Sequence, residues 1–140
     1  MGSANLELVR SIYTAWEGGD FSSSDWADPE IEYVEADGPT AGCSKGLVAM
    51  ADGFRDFLSA WEEWRVQADG YRELDGERVL VLFSFSARGK RSGLEVGQIW
   101  TQGATLFHVR GGKVAKLVQY LNRERAFAEL GLAEEADASR

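Results

Sequence analysis

The sequence changes its hydrophobic period part-way along. Leu6, Val9, Tyr13 and Trp16 recur at helical spacing behind Asn5, a residue suited to cap a helix, and Gly18-Gly19 ends the pattern. Leu47, Met50, Phe54, Leu58 and Trp61 form a second helical stripe, with Ser44 as the expected cap and an expected end near Trp64. Beyond it the period falls to two. Val66 to Leu74 and Val79 to Ala87 read as strands joined at Asp75-Gly76. Leu94 to Val109, with a bulge expected near Gly103, turns at Gly111-Gly112 into Val114 to Leu121. A helix from about Arg123 to Gly131 follows.

Between the two helical stripes lies a short helix or turn over Phe21 to Ala27, broken by Asp28-Pro29. A strand follows over Ile31 to Ala36, and Asp37-Gly38-Pro39 turns the chain. Helices followed by hairpin-connected strands predict an α+β fold, a curved antiparallel sheet closed into a cone with helices packed on its concave face. No repeat or linker divides the chain, so 1–132 is expected to be a single domain and the Ala- and Glu-rich 133–140 a frayed tail.

Composition narrows the partners. A net charge of -8 repels phosphate backbones, and the Lys and Arg residues form no basic stripe, so nucleic acid is not an expected partner. No window holds the roughly 18 to 20 consecutive apolar residues that a membrane span needs. A lone cysteine, Cys43, and a start without a signal-like apolar run point to the cytoplasm. His108 is the only histidine, and with no carboxylate or thiol at ligand spacing neither a metal site nor an organic cofactor is expected.

The aromatic set Tyr13, Trp16, Trp26, Tyr33, Phe54, Trp61, Phe83, Phe85 and Phe107 supplies either a core or the lining of an apolar binding site. Gln98, Thr105 and Gln119 fall on expected strands among apolar neighbours. An inward amide or hydroxyl there needs a partner, which makes these three the polar candidates for holding a ligand.

The helix ending in "VRSIYTAWEGGD" (9–20), the "WADPEIEYVE" run (26–35) and above all "LFHVRGGKVAKLVQYLNRERAFAELGL" (106–132) resemble the SnoaL-like branch of the nuclear transport factor 2-like superfamily. The resemblance covers almost the whole chain. It implies a cone-shaped fold, often a homodimer, with a pocket for a hydrophobic small molecule. Its relatives include ketosteroid isomerase, polyketide cyclases, epoxide hydrolases, dehydratases and members without a catalytic role, and fold alone does not choose among them. Ketosteroid isomerase uses a carboxylate base, a tyrosine and a protonated aspartic acid. Counting along this chain puts those positions at Val34, Ile12 and Thr105, with Tyr13 one residue from the tyrosine's place, so the isomerase set is not matched.

Strand 31–36 has two phases. Burying Ile31 and Tyr33 brings Glu35 inward, whereas the family count brings Glu32 and Val34 inward. The gain from burying Ile31 and Tyr33 selects Glu35 as the expected catalytic acid or base, with Asp37 solvated in its turn. Two functions stay open: a cofactor-independent acid–base enzyme on an apolar cyclic or polyketide-like substrate, or a non-catalytic ligand-binding or dimeric interaction domain. A dimer is expected through the outer sheet face carrying Leu106, His108, Val118 and Tyr120.

Overall fold

The computed structural model describes residues 4–21, 25–37, 42–59, 61–89 and 101–131, apart from the side chains of 61–63, 87–89 and 101. Gln98, the Trp61 side chain, the first part of the expected strand 94–109 and the tail 133–140 therefore lie outside the described residues. The elements run α1 (Ala4–Glu17), β1 (Ala27–Glu35), β2 (Gly42–Lys45), α2 (Leu47–Ser59), β3 (Trp61–Glu73), β4 (Arg78–Gly89), β5 (Thr101–Arg110), β6 (Lys113–Tyr120) and α3 (Arg123–Leu130). The strands form one sheet in the order β2-β1-β6-β5-β4-β3.

The sheet is mixed, not antiparallel throughout. β3 to β6 form an antiparallel meander and β2 pairs antiparallel with β1, but β1 runs parallel to β6. The parallel pair arises because β6 returns beside β1 only after α2 and the whole meander have intervened, a crossover that no hairpin could make.

Several boundaries differ from the sequence reading, each for a local reason. Ser44 does not cap α2; it pairs with Tyr33 in β2, and the chain turns into the helix through Gly46 at φ 94, in the left-handed region glycine tolerates. Trp61 and Trp64 belong to β3, where pairing with β4 overrides a helical stripe that continued by coincidence. β1 starts at Ala27 and runs through Pro29, and its register with β6 shifts between Ala27 and Glu32, where proline offers no N–H. Of the expected short helix or turn over Phe21 to Ala27, Asp25 and Trp26 form a turn, and 22–24 lie outside the described residues. Gly103 carries no bulge in its pairing with Phe83. A Cβ there would lie 2.5 Å from the Tyr120 carbonyl oxygen and 2.6 Å from Phe83 Cζ, so close packing is what requires glycine.

The alternation of β4 to β6 gives the sheet two buried faces. Val79, Val81, Phe83, Phe85, Phe107, Val109, Val114 and Leu117 meet Val9, Ile12, Tyr13 and Trp16 of α1 and Met50 and Phe54 of α2. Leu80, Leu82, Ala104, Leu106, Val118 and Tyr120 meet Ala126 and Phe127 of α3. Two helices thus share the cone's inner face, as expected, while α3 lies on the other. The outer patch invoked for a dimer is covered by this helix: Leu106, Val118 and Tyr120 are all buried. α3 can do this because Asn122 caps it through the Arg125 N–H and Gly131 ends it at φ 70. Arg123 secures its start, bonding the carbonyls of Phe83 and Gly103 and the carboxylate of Asp69, which the bulge between Ala68 and Gly70 turns toward it.

Candidate functional site

Ile31, Tyr33 and Glu35 face inward and are all buried, while Glu32 is exposed and Val34 packs toward α3. The apolar residues therefore set the phase of β1, and the family-aligned count, which turned Glu32 and Val34 inward, does not hold. Glu35 is only 5% exposed. The Tyr33 hydroxyl donates to its Oε2 at 2.6 Å, within the range of a charge-assisted bond. Burial pushes the Tyr33 phenol well above the ordinary tyrosine value, and the Glu35 charge and hydrogen bond add to the effect. Tyr33 thus stays a donor at any ordinary pH.

This pair lines a cleft of about 340 Å3 together with Gly42, Cys43 and Ser44 of β2 and Gly53 and Asp56 of α2. Gly53 permits the arrangement, since a Cβ there would come 2.9 Å from Tyr33 Cε2. A glycine inside a helical stripe was the sequence signal for this close approach, whereas nothing in the sequence marked Asp56, and Ser44 read as a helix cap instead of a cleft residue. Cys43 is exposed and unbridged. Asp37 is not a freely solvated turn residue: it is half-buried and its Oδ1 accepts the Leu121 N–H at 2.6 Å, joining the ends of β1 and β6.

A second polar group crosses the sheet beside the first. Glu35 is in register with Gln119 on β6, and Gln119 with Thr105 on β5. Thr105 is fully buried and donates to Gln119 Oε1 at 2.7 Å, and it lies 2.9 Å from the Tyr13 hydroxyl. With its one proton given to Gln119, Thr105 accepts from Tyr13. The buried hydroxyl and amide thus satisfy one another in part, which the sequence reading did not anticipate. Tyr13, like Tyr33, is held protonated by burial.

The predicted aromatic residues divide. Tyr13, Trp16, Phe54 and Phe83 surround a void of about 10 Å3 inside the cone, with Gln119, Phe21, Phe57 and Trp64 among its other walls. Tyr33 lines the cleft instead. Trp26 and Phe107 pack against Trp16 at 6.1 and 6.0 Å between ring centroids, and Phe85 stacks on Trp64 at 4.9 Å. These last three are packing residues behind the void rather than walls of either space. His108 sits half-buried on the α3 side, with Nε2 3.0 Å from Glu77 Oε1. Among the described residues no three His, Cys, Asp or Glu side chains gather as a metal set, and no helix is long and apolar enough to cross a membrane.

The fold has known counterparts. TerC, crystallised with polyporic acid, superposes with a TM-score of 0.71 at 19% identity, over 91% of this chain and 98% of that one. A nuclear transport factor 2-like protein of unknown function from Burkholderia pseudomallei gives 0.73 at 18% identity, covering 90% and 96%. A hypothetical protein of ketosteroid isomerase-like fold from Catenulispora acidiphila, in complex with trimethylamine, gives 0.66 at 17%, covering 91% and 94%. Identities this low establish the cone fold and nothing finer. No curated protein sequence matches the chain significantly. The SnoaL-like domain family matches residues 9–117, the segment that runs from α1 into β6, and the chain belongs to that family.

Proposed function

We propose that this chain is a cofactor-independent acid–base enzyme, of isomerase, cyclase or hydrolase type, acting on a small, mainly apolar cyclic or polyketide-like molecule. The observation that carries the reading is Glu35: a carboxylate 5% exposed, oriented by a 2.6 Å bond from Tyr33, on the wall of a 340 Å3 cleft. Tyr33 fixes one carboxylate oxygen and keeps its own proton, so a proton taken from a carbon acid resides on Glu35 and is returned from there. In such a step on a β,γ-unsaturated ketone the C–H electron pair becomes the new C=C bond of a dienolate while the carbonyl π pair moves onto oxygen, and reprotonation at the γ carbon with return of that pair completes an isomerisation without any redox partner. The ligands named for two structural neighbours, polyporic acid and trimethylamine, support the use of this fold for small molecules.

The test uses 2-tetralone, an enolisable bicyclic ketone, in deuterium oxide. The protein should accelerate hydrogen exchange beside the carbonyl, and Glu35→Gln should remove about 100-fold of that rate, the usual share of a general base. Equal rates for the two proteins would take Glu35 out of the mechanism. The tightly filled interior favours a second reading, a non-catalytic ligand-binding or interaction domain, because a void of about 10 Å3 admits no more than a water-sized group without rearrangement. Saturable binding of the ketone with no exchange above buffer would select it. A homodimer remains part of our proposal through a surface other than the one α3 covers, and light scattering at the single-chain mass of 15.4 kDa would exclude it. We place the protein in the cytoplasm, on the unbridged thiol of Cys43.

A further inference from the structure

We infer that Gln119 is the specificity-determining anchor of the cone interior, presenting its amide N–H group to the carbonyl oxygen of a ligand. The inference rests on the small-molecule reading above and names the chemical class it selects, ketones and related carbonyl compounds over hydrocarbons of the same shape.

The orientation of the amide follows from proton counting. Tyr13 donates to Thr105, and Thr105 donates to Gln119 Oε1. Turning the amide over would make Thr105 accept from Gln119, and one of the two buried hydroxyl protons, that of Thr105 or that of Tyr13, would then have no acceptor among the described residues. The Tyr13–Thr105 pair therefore holds the Gln119 oxygen and leaves its nitrogen as the outgoing donor. Among the described residues nothing accepts from that nitrogen. Gln119 is half-buried, and among the described residues it is the one amide in a wall otherwise made of Tyr13, Trp16, Phe54, Trp64, Phe83 and other aromatic and aliphatic side chains. The void of about 10 Å3 beside it matches a single water-sized group, the size of a carbonyl oxygen. The rest of a ligand requires some of the half-buried Phe21, Leu58, Trp64 and Leu121 to move aside, since these are the apolar walls that are not fully buried. Glu35 is the register neighbour of Gln119 across the β1–β6 pair, although the carboxylate lines the separate cleft and the amide lines the void.

Binding of 2-tetralone and of tetralin, the same bicycle without the oxygen, is followed by tryptophan fluorescence. The intact protein should prefer the ketone about 5-fold, the contribution of one net hydrogen bond. Gln119→Leu should erase the preference while leaving tetralin affinity in place. Thr105→Val, which keeps Gln119 and frees its amide to turn, should weaken the preference and raise the carbonyl stretching frequency of the bound ketone in the infrared spectrum, an effect that a packing role would not produce. Circular dichroism confirms that each variant is folded. If Gln119→Leu does not fold, the Thr105→Val infrared shift decides alone. A ketone preference that survives Gln119→Leu, an unshifted band in Thr105→Val, or no saturable binding of either compound would overturn the anchor. Absent exchange with an intact ketone preference sinks the acid–base reading and leaves the anchor standing. Exchange without a preference does the reverse.

Discussion

Tyr33 joins packing to chemistry within a single side chain: its ring rests on the bare backbone at Gly53 and its hydroxyl holds Glu35. Tyr33→Phe should keep the ring and lose the bond, at a cost of about 2 kcal/mol for a hydrogen bond to a charged group, measured as a shift in the urea midpoint. The raised phenol pKa of Tyr33 and Tyr13 also makes a pH prediction. Unfolded tyrosines ionise near about 10, and above that pH the unfolded chain binds fewer protons than the folded one. This contribution to stability is complete below about pH 10 and is lost as the pH rises further, by up to about 1.4 kcal/mol per pH unit for each tyrosine. Urea unfolding between pH 9 and 11 should show the decline, and Tyr33→Phe should flatten it by one tyrosine's share. An unchanged slope would contradict the burial of that phenol.

Elements in this fold meet through two glycines and one arginine. Gly53→Ala should gain helix propensity of about 1 kcal/mol but force the Tyr33 ring from its place, because the added carbon lies 2.9 and 3.1 Å from two ring atoms. A net loss of about 1 kcal/mol is expected, and a stabilised variant would show that the ring yields easily. Gly103→Ala is harsher, since the nearest atom, at 2.5 Å, is a backbone oxygen that cannot rotate away, and about 3 kcal/mol should be lost. Arg123→Ala should detach the start of α3, leaving the Asp69 carboxylate and two carbonyls without their guanidinium. Faster amide exchange in 123–130 than in β5 and β6 is the expected signature.

For the molecule as a whole, α3 is what separates a covered sheet from a sticky one. Phe127 is 4% exposed against Leu80, Leu82, Leu106, Val118 and Tyr120 in the second core. Phe127→Asp should uncover that apolar face and drive self-association, seen as a light-scattering mass above that of the unsubstituted protein at equal concentration. An unchanged mass would mean that α3 is not needed to protect the face.

Period and turn chemistry in the sequence were enough to place α1, the β3–β4 and β5–β6 hairpins, and α3 with its glycine stop, because each depends on residues close in the chain. The inward phase of β1 was legible for the same reason: Ile31 and Tyr33 gain more from burial than Glu32 and Val34, and a period of two carries Glu35 with them. Tertiary structure alone decided the rest. Whether β1 would meet β6 in parallel, which face α3 would cover, and that Tyr13 would reach Thr105 across 92 residues depend on contacts between distant segments. Local sequence records that Thr105 and Gln119 need partners. Only the assembled sheet, by setting the register of β1 against β6 and of β6 against β5, determines that they are each other's.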